Sequence, residues 1–248
     1  MLRKWIGLIA LPVSFASHAN IMDVYLSGGA SFSRLSNNEY IQINNSVTNE
    51  FDTDKKNVTS FLGGLGVGHT FENINQKPIA IAFSLMGYYT NFHHIEGIEY
   101  PFVNASPSMD TLDYQFKAES SALMVESRLR YTQYAWVPFL LVGLGASWNH
   151  LYDYSESPSN AASTAVATNT HVDSHTNTAF AYEVGAGIQH LLFTTEKYKA
   201  RWFASLDYRY MNFGKGELGN LTFQTADDPL TIKNLDTQAI VFTLEVSV

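Results

Sequence analysis

The chain has 248 residues, no cysteine, 14% aromatics, only 15% charged residues and a net charge of −8. A soluble domain usually carries about 25% charged residues, and a nucleic-acid binder needs a basic face, so an acidic, charge-poor, aromatic-rich chain fits neither class. There is no disulfide framework, and no stretch beyond the N-terminal segment could make a membrane helix, which takes about 20 apolar residues.

In chain order, Arg3 and Lys4 precede an uncharged, mostly apolar run from Trp5 to Ser17, and Ser17-His18-Ala19 sets small residues at both key positions of a cleavage site. This predicts a secretory signal peptide over 1–19 and a mature domain over 20–248. Removing the segment leaves 13 basic and 23 acidic residues, a charge of −10.

The mature chain then shows eight segments of period-two alternation, which in a strand separates two faces. The first, Asp23 to Leu35, sets Val24, Leu26, Ala30 and Phe32 against Ser27, Gly29, Ser31 and Ser33. The second, Val58 to Phe71, sets Phe61, Leu65 and Val67 against Ser60, Gly64, Gly66 and Thr70. The third, Pro78 to Asn91, has Ile79, Ile81, Phe83, Leu85 and Tyr89 on one face. In the fourth, Phe116 to Tyr131, Leu123, Val125 and Leu129 oppose Glu126, Arg128 and Arg130. The fifth, Trp136 to Tyr152, alternates Leu140, Val142, Leu144 and Trp148 with Gly143, Gly145 and Ser147. The sixth, Thr178 to Leu191, alternates Phe180, Tyr182 and Val184 with Glu183, Gly185 and Gly187. The seventh, Ala200 to Phe213, sets Trp202, Leu206, Tyr208 and Tyr210 against Asp207 and Arg209. The eighth, Thr237 to Val248, sets Ile240, Phe242 and Leu244 against Thr243, Glu245 and Ser247.

The connections alternate too. Asn73–Lys77, Thr132–Ala135 and Thr194–Lys199 are short, while Ser36–Asn57, Phe92–Gln115, Asp153–Asn177 and Gly214–Asp236 each exceed twenty residues. Short turns at one end and long loops at the other are the pattern of outer-membrane barrels. Aromatic residues mark both ends: Phe71, Tyr131, Trp136 and Trp202 toward the turns, and Tyr89, Trp148, Tyr208 and Tyr210 toward the loops. Two such girdles match the two membrane interfaces. These features predict an all-β, eight-stranded antiparallel up-and-down transmembrane β-barrel with four long extracellular loops. Lipid offers no hydrogen-bond partners, so the eighth strand must close on the first.

The segments FLGGLGVGHTF (61–71), PFLLVGLGASW (138–148), FAYEVGAGIQHLL (180–192) and WFASLDYRYMNFG (202–214), with Leu206-Asp207-Tyr208-Arg209-Tyr210 in the penultimate strand, resemble the opacity-protein/OmpA-like outer-membrane β-barrel family. The resemblance covers the mature chain in pattern. It implies a Gram-negative outer-membrane barrel with variable surface loops, in families whose roles run from adhesion to small pores. Such barrels usually end in an aromatic residue; this chain ends in Val248.

Seven charged residues fall on the expected lumen face: Glu126, Arg128, Arg130, Glu183, Asp207, Arg209 and Glu245. An eight-stranded barrel is only wide enough to be filled by side chains, so these charges must pair. Glu183 is expected to meet Arg209, and Arg128, Arg130 and Glu245 to form a cross-lumen network. The favoured reading is a polar plug and the rival a narrow pore. His171, Asp173 and His175 in the third long loop, and His93, His94, Glu96 and Glu99 in the second, could ligate a metal, but solvated loop polarity is the expected reading. His69 and His190 face lipid near the turns, and His150 sits close to Asp153 and Ser155 in sequence; none makes a nucleophile–base–acid set. The expectation is therefore no catalytic residue, no metal and no cofactor. Expected partners are outer-membrane lipid and lipopolysaccharide, the barrel-assembly machinery and a host or environmental surface ligand, with no nucleic acid. The protein is expected to be a monomeric surface barrel of structural or adhesive type. A diffusion pore, a lipid A-modifying enzyme and a periplasmic β-sandwich are the alternatives. Leu218, Leu221, Phe223 and Leu230 in the last loop are placed to pack over the barrel mouth or to contact a partner.

Overall fold

The structure, a computed structural model, describes residues 22–35, 37–53, 57–103, 110–160, 165–169, 172–196, 200–221, 224–225 and 228–248. The expected signal segment, His171 and Phe223 lie outside the described residues. The strands are β1 (Met22–Arg34), β2 (Asn38–Asn44), β3 (Val47–Thr53), β4 (Asn57–Phe71), β5 (Ile79–Tyr100), β6 (Leu112–Tyr131), β7 (Trp136–Pro158), β8 (His175–Thr195), β9 (Ala200–Asn212), β10 (Gly216–Glu217), β11 (Thr231–Ile232) and β12 (Asp236–Ser247).

Eight of these, β1, β4 to β9 and β12, are the staves of a closed antiparallel barrel. Each pairs with its neighbour in the chain, and β12 pairs with β1 from Asp23↔Ser247 to Phe32↔Gln238. The closure required by a lipid surroundings is present. The inside–outside assignment follows the alternation: Leu26, Leu65, Val125, Leu140, Leu144 and Phe180 are each at least 60% exposed, an arrangement water would penalise and a bilayer would not.

The eight aromatic girdle residues all lie on the exterior or at its margin. Trp136 and Trp148 sit on the same face of β7. Twelve residues at about 3.4 Å each, tilted about 40°, place them about 31 Å apart in height, close to the apolar band a membrane barrel presents. Tyr89, Ser121 and Trp148 are in register across β5, β6 and β7.

Above that girdle the structure departs from the expected boundaries. β5 continues to Tyr100, β6 begins at Leu112, β7 runs to Pro158 and β8 begins at His175. The second long connection is therefore more than half strand, and the third has strand at both its ends. β2 and β3 form a hairpin within the first connection, and β3 joins the top of β5 through Glu50↔Tyr100 and Phe51↔Glu99. The loops thus build a dome over the barrel, packed on a hydrophobic cluster that runs down into the barrel through Tyr25, Leu62, Met86 and Met124. It includes Ile41, Phe51, Phe92, Ile95, Tyr114, Phe116, Leu151, Tyr154 and Val172.

Two β-bulges separate barrel from dome. On β5 the pairing jumps from Phe92↔Ala118 to Ile95↔Phe116, with His94 at φ 34°. On β7 it jumps between Lys117↔Tyr152 and Gln115↔Ser155, with Asp153 at φ 57°. Each extra residue inverts the alternation beyond it. In the barrel, Met86, Tyr88 and Phe92 of β5 point inward; above the bulge, Ile95, Gly97 and Glu99 do. On β7, inward positions change from Ser147, Asn149 and Leu151 to Tyr154 and Glu156.

Candidate functional site

The lumen is filled by ionic side chains in two tiers. In the tier nearer the loops, Arg209 is fully enclosed and gathers three carboxylates: Asp207 at 2.5 Å, Glu183 at 3.3 Å and Glu126 at 3.7 Å. Its guanidinium also donates to the Tyr88 hydroxyl at 2.5 Å, and that hydroxyl donates to Glu126. Arg128 forms an ion pair with Glu126 at 3.1 Å and lies over the Tyr25 ring at 4.7 Å. In the tier nearer the turns, Arg130 makes a two-pronged contact with Glu245, at 3.0 and 2.7 Å, from opposite walls of the barrel. Gln189 donates to the same carboxylate at 2.8 Å. Asp23 accepts from Ser247 at 2.5 Å, from Tyr25 at 3.2 Å and from Thr70.

Backbone space for this packing comes from glycine. A methyl at Gly143 would lie 2.5 Å from Glu183 Oε1, and one at Gly187 would lie 2.5 Å from the Asp207 Cβ and 2.7 Å from the Phe139 ring. The glycine alternation of β7 and β8 is the negative image of the large side chains crossing the lumen.

All seven expected lumen charges are buried. Glu183 and Arg209 meet, as do Arg130 and Glu245. Arg128 differs from the expectation: it joins Glu126 two residues away on its own strand, with its guanidinium over the Tyr25 ring. Sequence reasoning missed Asp23, Tyr25, Tyr88 and Gln189. Their inward parity was readable, but a tyrosine in an alternating strand carries no sign that its hydroxyl will serve a carboxylate.

The mouth is closed from above by the last connection. Phe213, Leu218, Leu221, Leu230, Ile232 and Leu235 are all buried. β10 pairs with β11 across it. Asn149 of the barrel wall donates to the Phe213 and Lys215 carbonyls at 2.8 and 2.7 Å, and Ser147 donates to the Phe213 carbonyl at 2.5 Å. Asn37 and Glu39 of the first connection bind Thr231 on the other side.

Among the described residues, which leave out His171, the expected histidine clusters are not brought together. His93 and His94 sit exposed in the β5 bulge while Glu99 is buried beyond it. His175 reaches Glu217 at 3.9 Å. Among the described residues, no group of three or more His, Asp and Glu is placed to hold a metal. His150 binds Thr176 at 2.8 Å and stacks on Tyr152, Asp153 pairs with Lys117 at 2.8 Å, and Ser155 accepts from Gln115 at 3.2 Å, so these three face different partners. His190 stacks on Trp136 and His69 packs on Phe71, both in the turn-side girdle.

No family model matches the chain, and no curated protein matches it. Among solved structures it is similar to neisserial surface protein A, at 10% identity and a TM-score of 0.46, over 91% of this chain and 96% of that one. It is similar to the outer membrane protein OprG from Pseudomonas aeruginosa at 11% identity and a TM-score of 0.41, over 90% and 95%. It is also similar to Ail, the attachment invasion locus protein of Yersinia pestis, in complex with the heparin analogue sucrose octasulfate, at 14% identity and a TM-score of 0.32, over 92% and 96%. At these values the likeness carries no argument about fold, role or individual residues. The closed eight-stranded barrel, established by its own strand register, is the architecture that the opacity-protein/OmpA-like resemblance implies.

Proposed function

We propose that the protein is a monomeric surface barrel of a Gram-negative outer membrane, exported by its N-terminal segment, which acts through the dome that its loops build outside the cell. Its role is structural or adhesive, with outer-membrane lipid and lipopolysaccharide around the barrel and a host or environmental ligand on the dome. The observation that carries this reading is the filled interior. Two tiers of buried ion pairs occupy the lumen, and the last connection seals the mouth above them. A passage for solute would need both to move. The differentiated polar and apolar surface of the molecule is then the dome.

Planar-bilayer recording on refolded protein tests this directly. The plugged reading expects a silent membrane; discrete, solute-permeable conductance steps would favour the diffusion pore instead. Comparing lipid A by mass spectrometry with and without the protein tests the enzymatic alternative, and altered lipid A would overturn a purely structural role.

A further inference from the structure

Glu99 is 1% exposed and stands at the top of β5. Its Oε1 accepts from Asn49 of β3 at 2.6 Å. Among the described residues no N–H or O–H reaches its Oε2, and the side chain meets the carboxyl of Glu156 on β7, which is also buried. Glu156 in turn accepts from Tyr154 at 2.9 Å and from the side chain and backbone of Asn169, in the third connection, at 2.6 and 3.1 Å. Asn49 also accepts from the Phe102 backbone at 3.1 Å, which fixes the chain just beyond β5. The hairpin of β2 and β3 pairs with β5 only from Glu50 to Thr53, and Glu99 lies within that stretch, opposite Phe51. The acid pair is thus the point at which the hairpin, β5, β7 and the third connection are joined. The groups around it are Asn49 from β3, Tyr114 from β6, Tyr154 from β7 and Asn169, with Asp110 in the lining of the adjoining cavity; among the described residues none of these brings a positive charge.

Two buried carboxyls in contact, with no cation beside them, cannot both be ionised. Their contact stands only while one proton lies between them. We propose that the Glu99–Glu156 pair is a proton-held clasp, which ties the β2–β3 hairpin and the third connection to β5 and β7 and, on losing its proton to solvent, loosens both segments while the barrel stays closed. The loss leaves two carboxylates side by side, and each lowers its energy by drawing in water. A cavity of about 520 Å³ lies between the hairpin and the third connection, bordered by Asn49, Glu99 and Asn169, so water has a path to the pair once the segments part. Burial, with the Glu156 carboxyl beside it, pushes Glu99 up to about 9. A raised carboxyl keeps its proton below that value, so the clasp is shut at acidic and neutral pH and opens as the pH rises through about 9. Tyr154, pushed well above its ordinary value by burial, remains a donor across that range. The clasp concerns how the dome is held rather than what it meets, so it goes beyond the surface role proposed above, and neither result decides the other.

The chain has no cysteine, so a pair of spin labels reads the clasp directly. Val166→Cys in the third connection and Tyr40→Cys on β2, at positions 75% and 60% exposed, are labelled in the refolded full-length chain in zwitterionic nanodiscs. Pulsed electron resonance is expected to give a narrow distance distribution at neutral pH that broadens reversibly, with a midpoint near pH 9. The unboiled protein should keep its faster gel migration on both sides of that midpoint. Glu99→Gln sets an amide N–H where the proton was and keeps an acceptor for Asn49, so its distribution should stay narrow up to about pH 10. Asn169→Ala cuts the third connection from Glu156 and should be broad already at neutral pH. Infrared difference spectra of the unlabelled protein should show a protonated-carboxyl band that is lost over the same interval and is missing from Glu99→Gln. A wild-type distribution unchanged to about pH 10, equal broadening in Glu99→Gln, a narrow distribution in Asn169→Ala or the absence of that band would overturn the proposal, as would a barrel that opens at the same pH.

Discussion

Arg209 is the residue on which the lumen turns. It contacts Asp207, Glu183 and Glu126 together, fully enclosed, with Arg128 as the second cation on Glu126. Removing one partner of a buried ionic cluster costs far more than the cluster contributes, because the remaining charges stay buried. Arg209→Met should therefore lower stability by about 3–5 kcal/mol in urea unfolding followed by tryptophan fluorescence in bilayers. A loss below about 1 kcal/mol, typical of exposed pairs, would show the cluster is hydrated. The alternating pattern exposed this residue plainly: an arginine between Tyr208 and Tyr210 can only point inward. Glu99 was not legible in the same way, since a straight strand would have turned it outward. Its carboxyl lies outside the membrane-spanning segments and is raised from the ordinary 4.5 to about 9, first by burial and then by Glu156. The fold thus favours its protonated form. Its stabilising effect is complete below about pH 4.5 and is lost as pH rises toward 9. Hydrogen exchange of the β3–β5 pairing, corrected for intrinsic rates, should show protection falling across that window in the wild type and flat in Glu99→Gln. Identical profiles for the two would contradict the assignment.

At the scale of elements, the eight staves were readable because lipid on one side and a packed lumen on the other enforce strict alternation. The same code fails above the girdle, where the strands are wetted on one face and packed on the dome core on the other. There the sequence turns polar. Segments such as Asp153–Pro158 read as loop, although they continue β7. The bulges compound the difficulty, since a single extra residue swaps the faces. His93-His94 and Asp153 mark them only in hindsight, through the tolerance of a left-handed backbone at His94 and Asp153. Deleting His93 and His94 together should remove the bulge and one paired residue, leaving β5 straight with its upper part in the opposite phase. Ile98 would then replace Glu99 on the inner face. The expected outcome is a barrel that still migrates faster unboiled than boiled, with a dome opened to protease in the β2–β3 hairpin. A dome as resistant as the wild type would show that the bulge does not set the faces.

Across the whole molecule, barrel and dome are two layers with different surroundings that share one hydrophobic cluster, to which the barrel adds its buried ion pairs. The outer layer leans on the inner one through Ser147 and Asn149, which hold the Phe213 carbonyl. The last connection was legible in sequence as a candidate cover for the mouth, through Leu218, Leu221 and Leu230. Its hydrogen bonds to Asn37 and Glu39 were not, because they join segments nearly two hundred residues apart. Leu230→Ala removes a side chain 1% exposed and should cost the dome about 2–5 kcal/mol, seen as early proteolysis of the 214–236 connection. The heat-dependent shift in gel migration should be unchanged. A shift lost together with the dome would mean that the two layers unfold as one.

The bulges on β5 and β7 also act as a seam. Because each resets the parity of its strand, residues above it are not bound by the lipid–lumen alternation below. A substitution, insertion or wholesale replacement of the outer segments can be spliced at Phe92–Ile95 and Tyr152–Ser155 without shifting any stave out of phase. The chain is thereby divided into a fixed-phase pedestal and an exchangeable headpiece, and a chimaera that exchanges the upper parts of β5 and β7 would join them at those two points, with further junctions on β6 and β8 and at the first and last connections.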